Sequence, residues 1–281
     1  MPSKETQIRD QQRETWDRFS AGWKKWDEFV MQWLAPVGQE LIHAAALREN
    51  ADVLDVAAGT GEPGLTAATR VPKGTVTVTD LSERMLAVAR EKAASRSIMN
   101  LKTKLCDACA LPFADDSFDA VLCRFGFMFF PEVQTAVLEF SRVAKPGARI
   151  CAAVWGPPEK NPWAATIMGT INKLAALPPP PPGAPGLFRC ASPGYMDDAF
   201  QKGGLKNIKT KEVAAEMNFE SSQQYWNFMT EVAAPVVAGL DKADETTRDK
   251  IKTTVLDLAN KTSSLGRPRF QWSAWVTHGT K

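Results

Sequence analysis

Apolar residues recur along this chain with two periods, and the points where one period gives way to the other divide it into elements. From Trp16 to Trp33 the spacing is three or four: Trp16, Phe19, Trp23, Trp26, Val30 and Trp33 fall on one helical face, with Asp17, Arg18, Lys24, Lys25, Asp27 and Glu28 between them. Pro36 and Gly38 are expected to end that helix, and a second helix is expected over residues 39–48. Val53, Leu54 and Val56 then form an apolar, β-favouring run that closes on small residues and glycines, followed by a helix over 64–70. Further strands are predicted at 76–79, ending on Asp80, at 101–106, from Phe118-Asp119 to Cys123, and at 149–154 after a Pro146-Gly147 turn, with helices at 82–95 and 133–143 between them. Strand alternating with helix predicts an α/β fold with a parallel sheet.

The composition changes after residue 156. A helix is predicted at 161–177, then five prolines, Pro178 to Pro182, predict a semi-rigid connector or an ordered surface loop. A short helix at 195–202, an extended stretch at 205–219, a helical stretch at 221–264 and an alternating strand at 270–277 complete the chain.

The candidate chemistry is concentrated where the first strand meets its helix. Gly59, Gly61 and Gly64 satisfy G-x-G-x-x-G, a pattern that seats a pyrophosphate on a helix N-terminus in dinucleotide-binding folds. Asp55 changes the picture, because a carboxylate inside that strand repels a pyrophosphate and suits a cationic ligand, held directly or through water. Asp80, at the end of the second strand, stands where a doubly wound sheet hydrogen-bonds the ribose hydroxyls of an adenosine ligand; as the N-cap of the next helix it competes with Ser82.

The run Asp-Val-Ala-Ala-Gly-Thr-Gly at 55–61 resembles the first motif of class I S-adenosylmethionine-dependent methyltransferases, nearest to the small-molecule branch similar to the ubiquinone and menaquinone C-methyltransferases. The resemblance covers roughly residues 12–279. It implies a doubly wound, seven-stranded, mostly parallel sheet with strand seven antiparallel, the Rossmann-like methyltransferase fold, carrying a helical cap. It also implies an N-terminal helical lid over 1–48 and a cofactor-binding domain over 49–281, with cap segments at about 157–192 and 221–266. The cofactor residues it implies are Asp55, Ala57, Gly59, Thr60 and Gly61 at the turn, Asp80 for the ribose, Leu81 and Met85 beside the adenine, Asp107 and Ala108 at its amine and ring, and Cys123 and Arg124 after the fourth strand. Acceptor-pocket residues are expected among Trp23, Trp26, Phe125, Phe127 and Met128. The implied activity is methyl transfer from S-adenosylmethionine, leaving S-adenosylhomocysteine, to an apolar or aromatic small molecule: a quinol carbon, a phenol, a thiol or an amine. Direct displacement in a dry pocket makes a dedicated base optional. Two other readings share part of the pattern, a nicotinamide-dependent oxidoreductase and a non-catalytic S-adenosylmethionine-binding protein.

Charge and composition bound the partners. Lys+Arg of 34 against Asp+Glu of 32 gives +2 with no long basic block, which argues against nucleic acid. No apolar run approaches the roughly 20 residues of a membrane span, and the polar, acid-containing N-terminus resembles neither a secretory signal nor a transit peptide; a cytoplasmic enzyme is expected. The five cysteines, Cys106, Cys109, Cys123, Cys151 and Cys190, are expected to be reduced and structural, with no metal bound although Cys106 and Cys109 make a C-x-x-C. His43 and Arg124 are the candidate catalytic side chains; His278, near the end of the chain, is the only other histidine. The oligomeric state is left open.

Overall fold

The computed structural model describes residues 3–178, 181–264 and 266–281, so Pro179 and Pro180 of the proline run lie outside the described residues. The strands are β1 (Asp52–Val56), β2 (Thr75–Asp80), β3 (Leu101–Leu105), β4 (Phe118–Arg124), β5 (Ala144–Trp155), β6 (Lys206–Asn218), β7 (Ser263–Ser264) and β8 (Arg267–Thr280). Seven of them form a sheet in the order β3-β2-β1-β4-β5-β8-β6, and the two-residue β7 pairs with β8 off that path. β1 to β5 are parallel, and β8 runs antiparallel to both of its neighbours, β5 and β6. This is the expected seven-stranded sheet with strand seven reversed.

Hydrophobicity explains the order. β1 and β4 carry near-continuous apolar runs, Val53, Leu54 and Val56 in one and Ala120 to Cys123 in the other, all buried, as strands covered on both faces require. The outermost strand, β6, is mostly exposed and carries Lys206, Lys209, Lys211, Glu212 and Glu216, charges that keep an open edge from pairing with another chain.

The helices are α1 (Lys4–Lys25), α2 (Asp27–Ala45), α3 (Gly64–Arg70), α4 (Glu83–Ser95), α5 (Val133–Val143), α6 (Pro162–Leu174), α7 (Tyr195–Lys202), α8 (Ser222–Val232), α9 (Ala234–Leu240) and α10 (Glu245–Lys261). The N-terminal boundaries differ from expectation. Helix begins at Lys4, where Ser3 caps it by accepting from the Thr6 N–H, and the break falls at Trp26 rather than at Pro36. Pro36 lies inside α2. Its missing N–H strands only the carbonyl of the exposed Gln32, while Val30, Trp33, Leu34, Val37 and Leu41 bury the opposite face against the sheet, and that burial outweighs the lost hydrogen bond. The helical stretch after residue 221 is three helices, with Pro235 in the first turn of α9 and Asp244 capping α10 through the Thr247 N–H at 2.7 Å.

Four tryptophans tie α2, β5, α6 and β8 together. Trp33 stacks on Trp155 at 5.7 Å between centroids and 16° between planes, and meets Trp163 and Trp272 edge-on, each at 5.8 Å. Trp272 is one of the largest fully buried side chains. Trp272→Ala is expected to cost about 3–5 kcal/mol of stability, read as a lower denaturant midpoint at unchanged slope. A loss below about 1 kcal/mol would mean that this cluster is not the joint between cap and sheet.

Candidate cofactor and acceptor site

A cavity opens at the carboxyl ends of β1, β2 and β4, where the sheet order reverses and open α/β sheets bind ligands. Its floor is the turn after β1. Asp55 is fully buried there, and its Oδ2 accepts the Gly64 N–H at 2.7 Å, anchoring the first turn of α3. A Cβ on Gly64 would collide with Val78 Cγ1 and lie 2.9 Å from Asp55 Oδ2, so only glycine permits the approach. Asp55 Oδ1 has no partner, and burial pushes the carboxyl up to about 8. Ala57 and Gly59 take left-handed backbone conformations and line the cavity.

The next two strand ends build one half of the cavity. Asp80 holds the turn in place: Oδ2 accepts the Gly59 N–H and Oδ1 the Ser82 N–H, each at 2.9 Å. Ser82, not Asp80, caps α4, accepting from the Met85 N–H at 3.1 Å. Burial raises the Asp80 carboxyl to about 6. Asp80, Leu81, Met85, Asp107 and Ala108 all line the cavity, with Asp107 Oδ1 accepting the Cys109 N–H at 2.8 Å.

The opposite half is aromatic. Phe125, in a left-handed conformation after β4, stacks on Trp155 at 4.1 Å and 14°. Trp33, Trp163 and Leu34 continue that wall, and Arg124 brings its guanidinium beside it. α1 forms the roof with Gln12, Trp16 and Trp23, and α8 and the start of α9 add Phe228, Val232 and Pro235. Polar ties pin this roof. Ser82 Oγ donates to Asp17 at 2.5 Å, Lys24 pairs with Glu91 at 2.5 Å, and Lys25 Nζ and Trp26 Nε1 both donate to Glu231 of α8, at 2.6 and 2.8 Å.

Not all expected residues meet in the cavity. Asp55, Thr60, Gly61 and Cys123 lie outside its lining: Asp55 is occupied with Gly64, Thr60 Oγ1 donates to Asp27 at 3.0 Å, Gly61 packs on Leu65 and Ala89, and Cys123 is buried. Trp26, Phe127 and Met128 lie outside it too, Trp26 against Phe29 and Phe228, the other two in the core. His43 is exposed on α2 and His278 sits in β8, both away from the cavity. Among the described residues no group of His, Cys, Asp and Glu is arranged to hold a metal. Glu62, Trp155 and Trp163 line the cavity without having been singled out; Glu62 binds Arg96 at 2.7 Å and Thr66, and burial costs it less than these bonds return, so its pKa is lowered. Their signals were present, an acid inside the glycine motif and aromatics at and just beyond the end of a parallel strand.

The raised Asp55 carboxyl carries a pH signature. The folded chain keeps this proton up to about pH 8 whereas the unfolded chain releases it near the ordinary aspartate value of 3.8, so the Asp55 contribution to stability falls as pH rises through that window. The stability of Asp55→Asn relative to the parent should therefore climb from about pH 4 to about pH 8 and level off above. A difference that stays flat from pH 4 to 9 in paired denaturant titrations would mean the carboxyl ionises normally.

Three comparisons place the chain among known proteins. A family described as a methyltransferase domain matches residues 53–147. A demethylmenaquinone methyltransferase from Thermus thermophilus is 41% identical over 109 residues, 39% of this chain and 49% of that protein. An uncharacterized Mycobacterium tuberculosis protein is 33% identical over 178 residues, 63% of this chain and 62% of that protein, so the chain spans about half the length of the curated relatives it matches. In fold it is similar to the YcgJ protein of Bacillus subtilis, with a TM-score of 0.56 at 22% identity, covering 87% of this chain and 97% of that one. It is similar as well to phosphoethanolamine N-methyltransferase 2 of Haemonchus contortus, with a TM-score of 0.52 at 16% identity, covering 87% and 52%. Residues 53–147, which carry the glycine turn and the ends of β1 to β4, are thus similar to a methyltransferase domain, and the sheet with its reversed seventh strand belongs to a fold similar to those solved structures.

Proposed function

We propose that the protein transfers a methyl group from S-adenosylmethionine to a small planar acceptor. The observation that carries this reading is the division of one cavity into two halves: Gly59, Asp80, Leu81, Met85, Asp107 and Ala108 on one side, Phe125, Trp155 and Trp163 on the other. The first half fits an adenosine. Asp80 is a buried carboxylate with lone pairs beyond those that hold Gly59 and Ser82, suited to ribose hydroxyls, and Asp107, whose Oδ2 lies 3.9 Å from Arg9, keeps acceptor capacity suited to an exocyclic amine. Gly59 leaves open space where a side chain would stand, so a ligand can approach its backbone. The cofactor supplies a sulfonium methyl with a good leaving group. The chain's own contribution is to hold the acceptor in line and exclude water, which the aromatic wall and the roof of α1 and α8 do. No helix among the described residues is long and apolar enough to cross a membrane. The second half suits an acceptor of limited size and flat shape.

α1 acts in this reading as a lid. It covers the adenosine half and is pinned mainly by side-chain ties at its edges, so ligand exchange requires it to lift. Limited proteolysis should cut within α1 more slowly when S-adenosylhomocysteine is bound, as expected of a segment from the low-stability end of a structure. Equal rates with and without ligand would make α1 a fixed part of the core.

Calorimetry with S-adenosylhomocysteine and NAD tests the cofactor. Asp80→Ala should lower S-adenosylhomocysteine affinity at least roughly tenfold, since each hydrogen bond to a charged acceptor is worth about 1.5–3 kcal/mol. In the parent, affinity should also weaken below about pH 6, where the Asp80 carboxyl takes up a proton and stops accepting from both hydroxyls. NAD binding without S-adenosylhomocysteine binding would replace methyl transfer with a nicotinamide-dependent reaction.

A further inference from the structure

Arg124 is a half-buried cation that lines the cavity with no counter-ion among the described residues. Its one side-chain contact is from Nη1 to Met31 Sδ at 4.0 Å, and among the described residues no carboxylate lies within ion-pair distance. The carboxylates whose fields reach it are engaged elsewhere: Glu62 with Arg96 and Thr66, Asp27 with Lys92 and Thr60, and Asp55 with Gly64. A guanidinium that lines a cavity with no carboxylate beside it is free to pair with an anion that a ligand brings.

Two further donors point the same way. Trp23 and Trp33 both line the cavity, and both indole N–H groups are buried with no partner. Beside them Phe125, Trp155 and Trp163 offer ring faces. The cavity's carboxylates are the engaged Glu62, and Asp80 and Asp107 on the adenosine side. The aromatic half thus combines one cation, flat apolar walls and two tryptophans whose N–H groups have no partner among the described residues. Such walls also suit an ammonium ion. The guanidinium decides against it, because a second cation would meet Arg124 and a sulfonium in a low-dielectric space.

Resting on the methyl-transfer reading of this cavity, we propose that the methyl acceptor is bound as an anion, a flat aromatic ring bearing a carboxylate or phenolate oxygen. Arg124 is its counter-charge, Trp23 and Trp33 are its further donors, and the site rejects amines.

The test is calorimetry of three ligands of one shape, benzoate, benzamide and benzylammonium, on the protein holding S-adenosylhomocysteine. Benzoate should bind at least about tenfold more tightly than benzamide, and benzylammonium most weakly. Arg124→Gln should equalise benzoate and benzamide while leaving S-adenosylhomocysteine affinity within about threefold, and Arg124→Lys should keep the preference. An unchanged benzoate preference in Arg124→Gln with S-adenosylhomocysteine weakened roughly tenfold or more would hand this residue to the cofactor's carboxylate and overturn the proposal. So would a parent protein with no preference for benzoate, a result independent of whether either variant folds. The methyl-transfer reading fails separately, on absent binding of S-adenosylhomocysteine to the parent; the benzoate and benzamide contrast on ligand-free protein then still reports on Arg124.

Discussion

The hydrogen bond from the Gly64 N–H to the buried Asp55 carboxylate is the constraint on which the site depends. A strand that ends in the centre of a parallel sheet must hand the chain to a helix within a few residues, and the first N–H groups of that helix need acceptors. Asp55 supplies one from inside the strand, at 2.7 Å, and the absent Cβ of Gly64 allows α3 to start close against Val78. The turn between them is forced outward, and its left-handed residues Ala57 and Gly59 form the cavity floor. Asp80 repeats the device one strand over by accepting from Gly59. Two buried carboxylates thus shape the backbone before they act on any ligand.

That double duty has an electrostatic cost, visible in the raised carboxyls of Asp55 and Asp80. Among the described residues neither has a salt bridge to offset burial; backbone N–H groups do this instead. Farther from the cavity the pattern is ordinary, with Asp119 held below its usual range by Lys145 at 2.8 Å and Asp52 N–H at 2.9 Å. Among the carboxyls, the two that are raised, Asp55 and Asp80, both hold the turn that floors the cavity.

Much of the α/β core was legible in the sequence because its elements are short and bounded by strong local signals. The helix over 64–70 and the helices at 133–143 and 195–202 coincide with α3, α5 and α7. Pro36 misled because local propensity was read without the tertiary burial of Val30, Trp33 and Val37, which holds α2 through the proline. The cavity lining was legible where a residue's place at a strand end decides where it stands, as for Asp80, Leu81, Asp107 and Ala108. It was illegible where a side chain's direction matters. Phe127 and Met128 look like pocket residues beside Phe125, but the 3-10 turn at Phe127–Phe129 rotates both into the core while leaving Phe129 at the cavity. Phe228 and Val232 come from a cap helix some hundred residues on, and no local pattern says that they close the roof.

The ties from Lys25 and Trp26 to Glu231 span separations in sequence of 206 and 205 residues. In the order of synthesis α1, with its row of tryptophans, precedes α8 and meets it only after the residues between them have followed. The parallel sheet can assemble from β1 to β5 in the interval, since those pairings need only nearby crossovers. The tryptophan face of α1 thus waits uncovered while the sheet assembles, and the roof of the cavity is complete only once α8 and α9 have followed.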